Sequence, residues 1–182
     1  AEDEITRIDR PPKRVIWTTP QGLSIPVVIP PTVYPPREDT DLLAKCIDEI
    51  IEPNGKRLLE IGCGSGVISL FAAQRGFRVR ACDINPYAVA ATRNAVKERD
   101  LDIEVSEGGP GPSGDGKVRQ WAGENPHDFI VWNLPYLTPK DEENYLGPME
   151  EAGLLDTDVE GLINRLLTQV SKHDLLTPSG VI

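Results

Sequence analysis

Strand-length segments whose apolar positions are contiguous or alternate with polar ones recur along this chain at Lys56 to Ile61, Phe77 to Cys82, Ile103 to Val105 and Asp128 to Trp132. Helix-like segments follow them: Gly66 to Arg75, the alanine-rich Pro86 to Arg99, and Leu162 to Leu176. Gly180-Val181-Ile182 reads as the start of a fifth strand. Strands alternating with helices predict an α/β doubly wound parallel sheet with helices on both faces. Gly108 to Gly116, rich in glycine and proline, is predicted to be a mobile loop.

The chain ahead of this alternation has a different pattern. Residues 1–14 are polar and carry Arg7, Arg10, Lys13 and Arg14, the pattern of a solvated arm or of an arm that contacts a substrate. Val15-Ile16-Trp17-Thr18 and Leu23-Ser24-Ile25 flank Thr19-Pro20-Gln21-Gly22, which predicts a β-hairpin. Pro26, Pro30 and Pro31 predict an extended, weakly paired segment after it. From Asp41 to Ile51, Leu42, Leu43, Cys46, Ile47, Ile50 and Ile51 recur at helical spacing, with Asp39 or Thr40 as N-cap. Two regions follow: an arm and hairpin over 1–32, and a sheet domain over 33–182.

Composition narrows the function. The 182 residues suit one domain with a sizeable core. A formal net charge of −10 argues against a large electrostatic footprint for nucleic acid. No apolar run approaches the roughly 20 residues of a membrane span. Cys46, Cys63 and Cys82 are far apart in apolar contexts, so they read as reduced core residues. With only His127 and His173 available, a histidine-based metal site or triad is not expected, and the cytoplasm is the default compartment.

Candidate chemistry begins at Leu58-Leu59-Glu60-Ile61-Gly62-Cys63-Gly64-Ser65-Gly66. A strand runs into glycines at alternate positions and then into a helix. Such a turn lets a nucleotide-type ligand approach the backbone at the carboxyl end of a parallel strand. The dinucleotide fingerprint G-x-G-x-x-G fails, because Val67 stands where its last glycine would be. With Glu60 the pattern is E-x-G-x-G-x-G, which resembles motif I of the S-adenosylmethionine-dependent methyltransferases of Rossmann-like fold. The resemblance implies that Glu60, Gly62, Gly64 and Gly66 belong to the cofactor site. Asp83, ending the second strand, can accept both ribose hydroxyls, and Ile84 can pack on the adenine. Glu107, just past the third strand, matches a family position near the adenine amine.

Asn133-Leu134-Pro135-Tyr136 follows the fourth strand and resembles the N-P-P-Y motif of methyltransferases that act on planar nitrogens. Such nitrogens have delocalised lone pairs. The Asn133 side-chain oxygen and the Leu134 carbonyl can accept both N–H hydrogens and turn the lone pair toward the methyl carbon. Pro135 stiffens the turn, and Tyr136 can pack on the flat acceptor.

Val33-Tyr34-Pro35-Pro36-Arg37-Glu38-Asp39-Thr40 resembles a segment of the HemK-like protein-glutamine methyltransferases, in the eukaryotic and archaeal branch that modifies class I release factors. There the segment covers the cofactor, which implies that Asp39 and Thr40 lie near its methionine end. Leu175 to Gly180 is similar to the family's approach to strand five. The resemblance implies a glutamine acceptor in the Gly-Gly-Gln loop of a release factor and a small zinc-binding activator as partner. It also implies a further helix and an antiparallel strand pair beyond Ile182, without which the sheet edge beside strand four would lack its usual cover. Leu134 departs from the family's proline. N-L-P-Y also occurs in the ribosomal-RNA adenine dimethylases, so adenine N6 is the alternative acceptor.

Overall fold

The computed structural model describes residues 9–50, 52–135, 153, 156, 158 and 161–182. A two-stranded antiparallel sheet joins β1 (Lys13–Thr18) to β2 (Ser24–Ile29). Helix α1 (Glu38–Asp48) leads into β3 (Arg57–Ile61), α2 (Val67–Gln74), β4 (Arg78–Asp83), α3 (Pro86–Lys97) and β5 (Glu104–Glu107). A 3-10 turn (Pro112–Lys117), α4 (Val118–Ala122), β6 (His127–Trp132), α5 (Leu162–Lys172) and β7 (Leu176–Val181) complete the described order. The five-stranded sheet has the order β5-β4-β3-β6-β7, and every pairing in it is parallel.

Successive residues of each strand face opposite sides of this sheet, and both sides are apolar. Leu58, Val79 and Ala81 pack on one side with α1, α2, α3 and the hairpin. Leu59, Cys82 and Ile130 pack on the other with α4 and α5. The predicted α/β sheet with two covered faces is therefore present. The hairpin is fastened to the first side: Trp17 Nε1 donates to Asp41 Oδ1 at 2.8 Å, and its ring meets Phe71 edge-on.

The topology also sets the place of a ligand. The chain runs outward from β3 through β4 to β5, then crosses to the far side of β3 for β6 and β7. The crevice between the carboxyl ends of β3 and β6 is thus a switch point, where ligands of doubly wound sheets bind.

Several expectations are corrected. Ser24–Ile29 is one paired strand, with Pro26 opposite Ile16, so Pro26 does not loosen the pairing. A two-stranded sheet leaves each strand a free edge, where a missing N–H costs no ladder bond. Helix α1 starts at Glu38, ahead of the predicted Asp41, and its N-cap is Arg37, not Asp39 or Thr40. Cys46 is exposed, while Cys63 and Cys82 are buried. Gly108 to Gly116 is not a bare loop: Gly109, Pro110, Gly111 and Gly114 are buried, and the 3-10 turn leads into α4. The fifth strand begins at Leu176 and pairs with β6, with an irregularity between His127 and Phe129. The outer edge of β6 is therefore covered along that stretch. Among the described residues, no helix is long and apolar enough to cross a membrane.

Candidate active site

Extending the strand registers by one residue places a row across the carboxyl edge of the sheet. Asp83 pairs with Glu107, Ile61 pairs with Cys82, and Ile61 also pairs with Trp132. Glu107 and Asp83 end β5 and β4, and Gly62 and Asn133 are the first residues past β3 and β6, so the four line one edge of the sheet although they are far apart in sequence.

The glycine turn holds backbone that other residues adopt poorly. Gly62, Gly64 and Gly66 have φ of 68°, 53° and 82°, in the left-handed region. Their surroundings differ. Gly62 is exposed, and a Cβ there would come 3.2 Å from Trp132 Nε1. A Cβ on Gly64 would sit 3.8 Å from Val33 Cγ1 and 3.9 Å from the Tyr34 carbonyl oxygen. Gly66 is buried, and a Cβ there would meet the Thr92 side chain at 2.9 Å. The third glycine thus lets α3 close against the turn, while the first borders the Trp132 indole and the second the Val33–Tyr34 segment.

Asp83 is buried, and its carboxylate accepts from Gly64 N–H and Asn85 N–H, each at 2.8 Å. Burial pushes its pKa up, against the lowering effect of these backbone donors. Asn85 caps α3 by accepting from Tyr87 N–H at 2.9 Å, and Pro86 occupies the first turn. The Asn85 amide donates to the Thr32 carbonyl at 3.1 Å. One chain of bonds therefore joins Gly64, Asp83, Asn85 and the segment leading into Val33 and Tyr34.

Glu60 is buried below the turn, where its carboxylate and the Ser69 hydroxyl of α2 are hydrogen-bonded. Burial, opposed by the Ser69 bond and reinforced by the Asp83 charge, pushes its pKa up to about 8. Burial first, then the Asp83 charge, also raises the thiol pKa values of Cys63 and Cys82. Both thiols are packing groups.

Ile84 is 43% exposed at the rim, and a Cβ on Gly109 would be 3.4 Å from its Cγ2. Glu107 is exposed at the end of β5. Thr40 Oγ1 accepts from Arg37 N–H at 3.1 Å, and Asp39 Oδ1 accepts from Thr40 N–H at 2.7 Å. Both side chains thus organise the start of α1. The Arg37 guanidinium lies 5.1 Å from the Tyr34 ring centroid. Asn133 is exposed, Leu134 half-buried and Pro135 buried just past β6, while Tyr136 lies outside the described residues. Among the described residues, no cluster of His, Cys, Asp or Glu could hold a metal ion.

Sequence reasoning did not single out Asn85, Thr92 or Trp132. Asn before Pro at a helix start was a legible signal for the first. The places of Thr92 and Trp132 depend on packing and register, which have no local signature.

Residues 37–147 match the family model described as the methyltransferase small domain. A Methanocaldococcus jannaschii protein named as a candidate protein N5-glutamine methyltransferase is 33% identical over 84% of this chain and 71% of its own. The release factor glutamine methyltransferase of Geobacter sulfurreducens is 28% identical over 96% of this chain. This chain spans 60% of that bacterial relative's length. The solved Thermus thermophilus 16S rRNA N2 G1207 methyltransferase, crystallised with AdoMet and guanosine, superposes with a TM-score of 0.58 at 19% identity, over 69% of this chain and 33% of its own. The chain belongs to the methyltransferase small domain family and is an S-adenosylmethionine-dependent methyltransferase.

Proposed function

We propose that this enzyme methylates the side-chain amide nitrogen of a glutamine in a protein, the acceptor being the Gly-Gly-Gln loop of a class I release factor. The observation that carries the reading is the position of Asn133, at the carboxyl end of β6 and beside Gly62 in the switch-point crevice. The Val33 to Thr40 segment, against the glycine turn at Gly64, supports it further, as do the names of the relatives.

The residues present fit the cofactor. Gly62 and Gly64 keep two positions of the turn free of side chains. Each Asp83 carboxylate oxygen makes one backbone bond and has lone-pair capacity left for a ribose hydroxyl. Ile84 offers an exposed apolar face beside Gly109 for the adenine. In this reading Asp39, Thr40, Glu60, Gly66 and Glu107 complete the shell around these groups.

When bound, S-adenosylmethionine supplies an electrophilic methyl carbon on a positively charged sulfur. The Asn133 side-chain oxygen and the Leu134 carbonyl accept the two amide hydrogens of the acceptor. That leaves the nitrogen lone pair aimed in line with the carbon–sulfur bond. The nitrogen gains the methyl group and loses one proton to solvent, and the bonding pair stays on sulfur. The protein's share is position and oriented dipoles, with no strong base.

In this reading residues 1–32 are an arm and hairpin appended to the methyltransferase domain at 33–182. The partners are the release factor and a small zinc-binding activator, and the compartment is the cytoplasm. Leu134 in place of the family's proline favours a second reading, transfer to adenine N6 of RNA or DNA, since the same two acceptors also suit that amine. Transfer of labelled methyl from S-adenosylmethionine to purified release factor and to total RNA, run side by side, tests the choice. Label on the release factor that disappears when its Gly-Gly-Gln glutamine is replaced supports the first reading. Label on RNA alone overturns it.

A further inference from the structure

The strand order decides which side of the glycine turn each end of an elongated ligand reaches. Asp83 and Ile84 stand at the end of β4, on one side of β3, and β6 stands on the other. A ligand whose ribose meets Asp83 therefore sends its far end across Gly62 toward β6. The last residue of β6 is Trp132, opposite Ile61 and half-buried. Its indole lies along Gly62: a Cβ on that glycine would be 3.2 Å from Nε1 and 3.4 Å from Cδ1.

The chain has three tryptophans. Trp17 Nε1 donates to Asp41 Oδ1 at 2.8 Å, and Trp121 Nε1 to the Gly114 carbonyl at 3.4 Å. Trp132 Nε1 has no hydrogen-bond partner among the described residues, nor is it among the buried polar atoms left unpaired. The Trp132 ring packs in part on the Leu59, Ile61 and Ile130 side of the sheet, and its unpaired, accessible Nε1 lies beside Gly62. Indole N–H groups at apolar sites ordinarily find an acceptor.

We propose that Trp132 is a cofactor-binding residue whose indole N–H donates to the carboxylate at the amino-acid end of S-adenosylmethionine. The inference rests on the methyltransferase reading and on the ribose role of Asp83. A carboxylate is the strongest hydrogen-bond acceptor that this end of the molecule carries, and a bond to it is charge-assisted. The indole face also closes the β6 side of the turn, so a side chain at position 62 would push the donor out of place.

Two ligands separate the ends of the cofactor. S-adenosylhomocysteine has the amino-acid carboxylate, while 5′-methylthioadenosine keeps the adenosine and the thioether but lacks it. Calorimetry on the wild type and Trp132→Phe, which keeps a ring and removes the N–H, should show S-adenosylhomocysteine weakened roughly tenfold. Methylthioadenosine should bind the two proteins within about twofold of each other, since the lost bond is one it never makes. In the nitrogen-15 spectrum of the wild type, the Trp132 indole resonance should shift with the first ligand and stay in place with the second. Unchanged affinity in the variant, equal loss for both ligands, or an indifferent indole resonance overturns the proposal. If the wild type binds neither ligand, the cofactor reading itself fails, and this inference fails with it.

Discussion

The Asp83 carboxylate accepts a hydrogen bond from the Gly64 backbone N–H at 2.8 Å, which ties the end of β4 to the middle of the glycine turn. The same carboxylate accepts from Asn85 N–H, so one acid positions both walls of the proposed ribose pocket. Asp83→Ala should therefore weaken S-adenosylhomocysteine binding by about 1.5–3 kcal/mol, the scale of a hydrogen bond to a charged group. Asp83→Asn keeps one acceptor oxygen and should fall between the two. Calorimetry is the measurement, and wild-type affinity in the alanine variant would remove Asp83 from the site.

Asn133 stands at the other end of the crevice, exposed and just past β6. Its proposed bonds form to the acceptor nitrogen and strengthen as the methyl group moves. Asn133→Ala should leave cofactor affinity within a few-fold of wild type and lower turnover by at least about a hundredfold, on the scale of a lost transition-state donor or acceptor. Single-turnover rates at saturating cofactor separate the two effects. Turnover within a few-fold of wild type would end the proposed chemistry.

Gly66 makes a stability prediction that is independent of the cofactor. An alanine there must hold φ near 82° and place its Cβ 2.9 Å from the Thr92 side chain. Gly66→Ala should cost about 1–3 kcal/mol from backbone strain alone, with overpacking added. Adding Thr92→Ala should return the overpacking part and leave the strain, a coupling that a double-mutant cycle in urea reads directly. Purely additive losses would mean that Thr92 does not limit this position.

Much of this architecture could be read from the chain because its determinants are local. Leu58-Leu59 marks a buried strand by its apolar run, Val79 and Ala81 mark another by alternating with Arg78 and Arg80, and Gly62, Gly64 and Gly66 mark a turn that needs positive φ. Asn133 could be placed because a motif ends the strand before it. Helix α4 was not legible: five residues span too little of a period, and it is held by the burial of Trp121 and Ala122. Nor was the start of β7, where Pro178, Ser179 and Gly180 are poor strand formers. Pairing with β6 overrides them. The Trp132–Gly62 contact needs the register of strands about seventy residues apart, and no window along the sequence contains both.

Glu60 predicts how the fold responds to pH. The folded state raises its pKa from 4.5 to about 8, first by burial and then by the nearby Asp83 charge. Below about pH 4.5 the carboxyl is protonated both folded and unfolded, and the folded state has its full advantage from holding a neutral group there. As pH rises toward 8, the unfolded chain has already released the proton and the folded one has not, so unfolding becomes easier. Above about 8 both states are ionised and the effect levels off. The largest slope that one such group can contribute is about 1.4 kcal/mol per pH unit. Glu60→Gln is neutral throughout, and its amide can still bond Ser69, so its own stability should lack this slope. Urea unfolding of both proteins at pH 5.5 and pH 8.5 is the check. The variant should gain on the wild type between the two conditions, and parallel behaviour would mean that Glu60 is already ionised in the folded protein.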